Sequence, residues 1–322
     1  MNTFLVAIGG AWRGTAWIER FRKLMPEREV VGLDDAFDRT GVRWAAAWKH
    51  PPGSLAGLPR LEAIFSLGAG VDHLMGDPAL PAVPVVRVVN HDLTARMSEW
   101  IVLQCLAHLR QAPRYARQQR DGVWDDDDAQ PAARHVRVGV MGLGVLGGDA
   151  ARKLAMMGFD VAGWSRTPRK GTAESGEAPV RAFHGMAGLD AFLARTDVLV
   201  CLLPLTDDTR GVLNRGLLQK LARDGRLGGP VLVNAGRGGL QVEADIIACL
   251  ADGTLRAASL DVFETEPLPA SSPLWAHPAV IVTPHNAAMS DPDAIGAQIA
   301  EQVRKAEGGL ALTGLVSRAQ GY

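Results

Sequence analysis

The feature that most constrains the fold is a glycine-rich turn, GLGVLG at residues 142–147, between an apolar run and a helical pattern. The run 136–141 (VRVGVM) is typical of a buried strand, and the segment GGDAARKLAMMG is typical of a helix. In such a unit Gly142 permits a tight turn, Gly144 lets a ligand approach the backbone, and Gly147 lets helix and strand pack closely. The turn therefore predicts a dinucleotide-binding unit, with the helix N-terminus facing the phosphates.

Strand and helix patterns alternate along the whole chain, which predicts an α/β protein with parallel sheets. Early strand-like runs are FLVAIGG, EVVGL, RWAAAW, LEAIFSLGAG and PVVRVV, and a helix over 98–119, kinked at Pro113, follows them. The later runs HVRVGVMG, FDVAGWS, DVLVCLLP, GPVLVNA, AASLDVF and AVIVTPH are six, the number that a doubly wound dinucleotide-binding sheet requires. A further helix pattern lies in 286–322, and we expect it to return to the first domain. The sequence predicts two doubly wound domains, 1–97 plus 286–322 and 98–285.

Composition narrows the range of partners. A length of 322 residues suits two domains, and 47% hydrophobic and 21% charged residues are ordinary for a globular protein. A formal net charge of -1 provides no basic field for nucleic acid or an anionic membrane, and neither a secretory signal nor a membrane-spanning run is evident. Cys105, Cys201 and Cys249 are too few for a disulfide framework or a zinc site, so we expect a cytoplasmic protein. The acidic run 125–128 is interpreted as a solvated loop, with a metal site as the alternative.

The end of the second strand after the glycine turn indicates which dinucleotide is bound. Enzymes that use NAD usually carry an acidic residue there, about 20 residues beyond the glycines, to bind the ribose hydroxyls. This chain instead has GWSRTPRK, which places Ser165 and Arg166 at that position and Arg169 and Lys170 shortly after. A hydroxyl and a guanidinium suit a 2'-phosphate. We expect NADPH, with NADH bound more weakly; the alternative is that these cations are only solvated.

Three downstream residues suggest the chemistry of keto-acid reduction. His285 follows an apolar strand in VTPH, and we expect Glu266, in LDVFETEPLP, to bond its imidazole and favour the protonated form. Such a pair can protonate the alkoxide that forms when hydride adds to a ketone. Arg237, in NAGRGG, offers forked donors that fit a carboxylate and a neighbouring keto oxygen. Taken singly, the histidine could be structural and the arginine a surface ion-pair partner.

A second glycine-rich turn, SLGAGVD at 66–72, follows a strand of the first domain. The backbone N–H groups of Ala69 and Gly70 can face the same carboxylate as Arg237 and complete a two-sided clamp. Trp48 and Trp275 are candidates for the wall of a small pocket, and core packing is an equal alternative for both.

These motifs resemble those of the D-isomer-specific 2-hydroxyacid dehydrogenases, and within them the glyoxylate/hydroxypyruvate reductase A group. The similarity runs from AWK through SLGAGVD, GVMGLGVLG, WSRT, LLPLTDDT, NAGRGG, LDVFETEPLP, SPLWAHP and TPHNAA to SRAQGY. The resemblance implies a Rossmann-type cofactor domain inserted in a flavodoxin-like substrate domain, and a catalytic set of Arg237, Glu266 and His285. It implies substrate contacts at Trp48, Ala69, Gly70 and Arg237. The implied cofactor contacts are Gly142, Gly144, Val145, Leu146, Gly147, Ser165, Arg166, Thr167, Leu203, Pro204, Thr209, Ala235 and Asp261.

Members of this group reduce glyoxylate and hydroxypyruvate to glycolate and glycerate with NADPH and form homodimers, so the resemblance implies the same here, without a metal. Two departures bear on substrate choice: Gly236 precedes the arginine where relatives more often have Ala or Ser, and Asn286 follows the histidine. Two alternatives remain open, namely an NAD-linked D-2-hydroxyacid dehydrogenase and a non-catalytic protein that senses dinucleotides.

Overall fold

The computed structural model describes residues 2–9, 14–168, 180–289 and 291–322. By its internal contacts the chain divides into two compact units, Met1–Leu93 with Ser290–Tyr322, and Thr94–Met289. The two ends of the chain therefore build the first unit, and the middle of the chain builds the second. The crossings predicted from the sequence, 97/98 and 285/286, each lie four residues inside the second unit of the structure. Apolar periodicity cannot mark the first crossing because one helix, beginning at His91, runs through it.

The first unit contains a five-stranded sheet in which all pairs are parallel. Its strands are β1 (Thr3–Ile8), β2 (Glu29–Gly32), β3 (Val42–Trp48), β4 (Ala63–Ser66) and β5 (Val85–Val86). Their order is β2-β1-β3-β4-β5, the doubly wound order of flavodoxin-like sheets. Its helices include α1 (Gly14–Leu24), α2 (Asp72–Met75) and, from the C-terminal part of the chain, α9 (Pro292–Glu307).

Helix α9 is fixed to the first unit at both its packing face and its end. It packs on α1, where a Cβ on Gly296 would lie 2.9 Å from Leu24 Cδ1, so the helices approach closely. At its C-terminal end the Glu307 carboxylate accepts hydrogen bonds from Arg28 at 2.9 Å and from Trp44 Nε1 at 3.2 Å. These contacts, led by the one with Arg28, lower the pKa of Glu307 to about 2 although burial opposes the shift.

The second unit contains a parallel sheet of seven strands, one more than the sequence analysis expected. The strands are β6 (Arg137–Met141), β7 (Asp160–Ser165), β8 (Arg181–His184), β9 (Val198–Cys201), β10 (Val231–Asn234), β11 (Ala257–Leu260) and β12 (Val280–Val282). Their order is β12-β11-β10-β9-β6-β7-β8, so the chain reverses direction across the sheet between β6 and β9. The missed strand is β8, an exposed edge strand with the sequence RAFH, which lacks the apolar run that marks the central strands.

The helices of the second unit correct another expectation. They are α3 (His91–Leu109), α4 (Ala112–Asp121), α5 (Val145–Met156), α6 (Gly185–Ala194), α7 (Arg215–Leu218) and α8 (Glu243–Ala251). The prediction of a single kinked helix over 98–119 is wrong. The helix ends at Leu109 and a second one begins at Ala112, because Gln111 between them has a φ of 54°. Pro113 lies in the first turn of α4, where its missing N–H costs no helical hydrogen bond.

The acidic run 125–128 lies beside α4. Arg114 pairs with Asp125 at 2.5 Å and with Asp127 at 3.6 Å, and Gln111 also donates to Asp127. Within the described ranges no cluster of His, Cys, Asp and Glu has the arrangement of a metal site. No helix among those residues is long and apolar enough to cross a membrane.

Candidate active site

The glycine turn joins β6 to α5 with the three roles that its spacing predicts. Gly142 has a φ of 102°, and a Cβ there would lie 2.7 Å from the Leu202 carbonyl oxygen. A Cβ on Gly147 would lie 2.0 Å from the Gly142 oxygen, so both positions require glycine. A Cβ on Gly144 would meet nothing within 4 Å. The turn is therefore closely packed on its inner side and open at Gly144, where a ligand can approach.

The N-terminus of α5 is where the sequence predicts a phosphate site. Gly144 is the N-cap residue, and no side chain caps the helix there. Val145, in the first turn, is 49% exposed, and Leu146 is half-buried. Backbone N–H groups at a helix start, together with the helix dipole, favour a phosphate group at this position.

The end of β7 places the predicted cofactor-discriminating residues next to the turn. Ser165 is buried, and its hydroxyl donates to the Thr167 carbonyl at 2.8 Å. Arg166 is exposed, with 45% of its side chain accessible, and it pairs with the exposed Asp208 at 3.4 Å. Arg169 and Lys170, which the sequence analysis also singled out, lie outside the described residues.

The remaining cofactor candidates follow neighbouring strands of the same sheet. Leu203 and Pro204 lie in the loop that follows β9. The Thr209 hydroxyl donates to the Pro204 carbonyl at 2.7 Å and accepts from the Thr206 N–H at 2.8 Å. Ala235 follows β10 and is buried. The Thr209 hydroxyl thus shapes the loop after β9.

His285 and Glu266 meet as the sequence analysis expected. His285 Nδ1 lies 2.8 Å from one Glu266 carboxylate oxygen and 3.0 Å from the other. The Phe263 N–H also donates to Glu266, at 3.2 Å. With Nδ1 bound to a carboxylate, Nε2 of the imidazole is the nitrogen left for a reacting group. The two side chains remain partly exposed, at 34% and 24%.

Asp261 holds the loop that carries His285. Its carboxylate accepts hydrogen bonds from the Thr283 hydroxyl at 2.5 Å and from the Asn286 and Ala287 N–H groups at 3.0 Å. The His285 N–H donates to the Asp261 carbonyl at 2.8 Å. These contacts support the left-handed φ of 51° at His285, which is uncommon for a residue other than glycine. The contact with a cofactor that the resemblance implied for Asp261 stays a prediction.

Arg237 lies in a turn that Asn234, at the end of β10, organises. The Asn234 amide oxygen accepts from the Gly236 N–H at 3.1 Å, and its amide nitrogen donates to the Arg237 carbonyl at 3.3 Å. The Arg237 guanidinium donates to the Gly236 carbonyl at 2.8 Å, and the residue is half-buried. Asn234 was not among the predicted site residues; the signal for it is a polar residue at the end of the apolar strand VLVN.

The turn after β4 contains the two substrate candidates of the first unit. Ala69 and Gly70 are half-buried, and the Ser66 hydroxyl donates to the Gly70 carbonyl at 3.1 Å. Trp48 is 8% exposed and packs under the turn, where a Cβ on Gly68 would lie 2.4 Å from its ring. Trp275, in the second unit, is 53% exposed, and its indole N–H donates to the Pro269 carbonyl at 3.0 Å.

Several known proteins are similar to this chain over its whole length. Residues 102–287 match the model of the D-isomer specific 2-hydroxyacid dehydrogenase, NAD binding domain. The chain is 48% identical to an NADPH-dependent glyoxylate/hydroxypyruvate reductase from Sinorhizobium meliloti, solved with NADP and sulfate, with all of both chains covered and a TM-score of 0.90. It is 42% identical to a probable 2-hydroxyacid dehydrogenase from Rhizobium etli, solved with NADP, HEPES and L(+)-tartaric acid, again over both whole chains and with a TM-score of 0.91.

A third similar structure is a D-isomer specific 2-hydroxyacid dehydrogenase from Xanthobacter autotrophicus in complex with NADPH and MES. It is 38% identical, covers 100% of this chain and 99% of its own, and has a TM-score of 0.89. The glycine turn, the arginine turn and the His–Glu pair all lie in or beside the matched segment. The chain belongs to the D-isomer specific 2-hydroxyacid dehydrogenase family.

Proposed function

We propose that the protein reduces small 2-keto acids with NADPH, converting glyoxylate to glycolate and hydroxypyruvate to D-glycerate. The observation that carries the proposal is the contact of 2.8 Å between His285 Nδ1 and Glu266 in the unit that contains the glycine turn. The relatives from Sinorhizobium meliloti and Xanthobacter autotrophicus, which use or bind NADPH, support the choice of substrate and cofactor.

The residues around the glycine turn fit a dinucleotide phosphate. Gly144 leaves the backbone open, and α5 offers N–H groups that no side chain caps. The exposed Arg166 guanidinium would hold the 2'-phosphate, a group that an acidic residue at this position would repel. When bound, NADPH supplies the hydride that reduces the keto carbon.

The proton comes from His285 in this proposal. Hydride addition to a ketone leaves an alkoxide, and Nε2 of a protonated imidazole can donate the proton it needs. Glu266 at Nδ1 orients the ring and stabilises its positive charge. Asp261 fixes the backbone that presents the ring.

Arg237 binds the substrate carboxylate and stabilises the negative charge that develops on the keto oxygen. Its planar guanidinium can donate two parallel hydrogen bonds, which a lysine cannot. In the first unit, Ala69, Gly70 and Trp48 remain our candidates for contacts with the substrate. In this proposal the first unit is the substrate domain and the second the cofactor domain.

Turnover with a matrix of substrates and cofactors tests the function. Glyoxylate, hydroxypyruvate and pyruvate are each assayed with NADPH and with NADH, using His285→Ala as the control that keeps cofactor binding. We expect the highest kcat/KM for the first two acids with NADPH. Preference for NADH, or for pyruvate, would favour an NAD-linked relative. Binding of NADPH without turnover of any acid would favour a dinucleotide sensor.

We further propose a cytoplasmic homodimer that binds neither nucleic acid nor membrane. The three cysteines are buried free thiols, as expected in a reducing compartment. On the second unit, Leu103 of α3 is 60% exposed and Trp124 is fully exposed, and such apolar side chains favour contact with a second copy. Sedimentation of the wild type and of Trp124→Ser tests the dimer.

A further inference from the structure

A buried glutamine, Gln241, lies between the two segments that carry the reactive side chains of the second unit. It lies four residues after Arg237 and is 2% exposed. Its amide oxygen accepts from Asn234 Nδ2 at 2.8 Å, and its amide nitrogen donates to the Val262 carbonyl at 3.0 Å. One side chain therefore bonds both to the residue that shapes the Arg237 turn and to the segment after β11.

The contacts continue from Val262 to the proton donor. The next residue, Phe263, donates its N–H to the Glu266 carboxylate at 3.2 Å, and that carboxylate binds His285 Nδ1. A continuous path of hydrogen bonds and one peptide link thus runs from the turn bearing Arg237 to His285. Gln241 is the side chain in this path that crosses between the two segments.

The two segments are also in direct backbone contact. A Cβ on Gly238, next to Arg237, would lie 1.8 Å from the Phe263 carbonyl oxygen. Further along, the Glu243 N–H donates to the Glu264 carboxylate at 2.7 Å, and the Glu264 N–H donates to the Glu243 carboxylate at 2.6 Å. These contacts hold the two segments together without Gln241. The Gln241 amide therefore sets the exact position of one segment relative to the other and has little effect on whether they associate.

We propose that Gln241 is a positioning residue, which sets the placement of Arg237 relative to the Glu266–His285 pair. The proposal rests on the reductase function proposed above, in which Arg237 binds the substrate's carboxylate and keto oxygen and His285 donates the proton to the alkoxide. Buried amide hydrogen bonds have few alternative geometries, so their loss lets the turn shift. Displacement of a binding group by a fraction of an ångström lowers the rate of the chemical step.

The test compares Gln241→Met with a matched control, Gln302→Met. Gln302 is a second buried glutamine whose amide accepts one hydrogen bond and donates another. Its partners are the N–H and the carbonyl of Thr313, at 2.9 and 3.0 Å, and it lies on α9 of the first unit. Both variants replace an amide by a thioether of similar length, and both should lower Tm by a similar amount. Turnover of the wild type is measured first. Its absence would count against the proposed function and not against the role of Gln241, so the variants are compared only after wild-type turnover is established.

For Gln241→Met we expect kcat/KM for glyoxylate to fall about tenfold, with a raised KM, and affinity for the unreactive analogue oxamate in the NADPH complex to fall in parallel. The dissociation constant of NADPH should stay within twofold of wild type. Gln302→Met should keep kcat/KM within twofold. If Gln241→Met keeps the kcat/KM of the wild type and loses as much Tm as the control, Gln241 only supports the fold.

A double-mutant cycle with Arg237→Lys tests whether Gln241 acts through Arg237. Because lysine lacks the forked geometry, the cost of Gln241→Met should fall below twofold in that background. An undiminished cost would overturn the proposal. If Gln241→Met does not fold, Gln241→Glu replaces it in the same comparisons, since it keeps the acceptor for Asn234 and removes the donor to Val262.

Discussion

Acidification is expected to destabilise the second unit through one buried histidine, His108 on α3. The His108 Nε2 atom lies 2.8 Å from the Ser259 hydroxyl, which donates onward to the Gln104 amide oxygen at 2.9 Å. Since the hydroxyl's hydrogen is directed to Gln104, Nε2 must carry the hydrogen that it donates to Ser259. Burial, with a smaller contribution from the charge of Arg256, lowers the pKa of His108 from 6.5 to about 4. These hydrogen bonds thus join α3 to β11 through a neutral imidazole.

The sign of the effect follows from proton binding in the two states. As pH falls below 6.5 the unfolded chain takes up a proton at His108, whereas the folded protein does so only near pH 4. The stabilisation is therefore complete above pH 6.5 and declines as pH falls to 4. A shift of this size corresponds to about 3 kcal/mol over the whole window. Between pH 7 and pH 5 it amounts to about 2 kcal/mol.

The variant His108→Gln keeps an N–H donor for Ser259 and cannot titrate. Urea unfolding of wild type and variant, followed by tryptophan fluorescence at pH 7 and pH 5, should show a free energy of unfolding that falls by about 2 kcal/mol less in the variant. His135→Gln, which removes an exposed imidazole of the same unit, serves as the matched control for the substitution. Parallel pH dependence in wild type and His108→Gln would refute the reasoning, because His108 would then bind its proton equally in both states.

Four further outcomes are expected. Arg166→Ala should weaken NADPH about 10- to 100-fold and barely change NADH, because a charge-assisted hydrogen bond contributes about 1.5 to 3 kcal/mol; equal losses in calorimetric titrations would mean that Arg166 does not read the 2'-phosphate. Arg237→Ala should raise KM for the keto acid and lower kcat together, with partial recovery in Arg237→Lys, and full activity of the lysine variant in steady-state assays would exclude a need for forked donors. Glu266→Gln removes the carboxylate charge beside His285 Nδ1, so kcat for keto reduction should fall; an unchanged kcat in steady-state assays would rule out the pairing as part of the proton donor. Glu307→Gln should lower Tm at pH 7, and because the pKa of Glu307 is lowered to about 2, the difference from wild type should shrink as pH falls from 4.5 through 2; a constant difference in differential scanning fluorimetry would contradict this.

Much of the candidate site was predictable because its signals are local. The tight turn at Gly142 and the close approach at Gly147 follow from one strand, one turn and one helix, and the structure shows both; the contact of Gly144 with a ligand stays a prediction. The pairing of His285 with Glu266 was predicted from the chemistry of the two residue types, and their contact at 2.8 Å confirms it. The structure assigned Asp261 the role of holding the His285 loop, which the resemblance had not implied.

What the sequence by itself determined is the class of fold and the set of reactive residue types, since apolar periodicity and turn chemistry act within a dozen residues. Tertiary structure alone decided three features. The edge strand β8 forms without an apolar run because a neighbouring strand supplies its hydrogen bonds. The break between α3 and α4 falls at Gln111, whose φ is 54° and whose side-chain amide donates to Asp127. The bond from Gln241 to the Val262 carbonyl joins residues 21 positions apart, and only the pairing of β10 with β11 brings them within hydrogen-bonding distance.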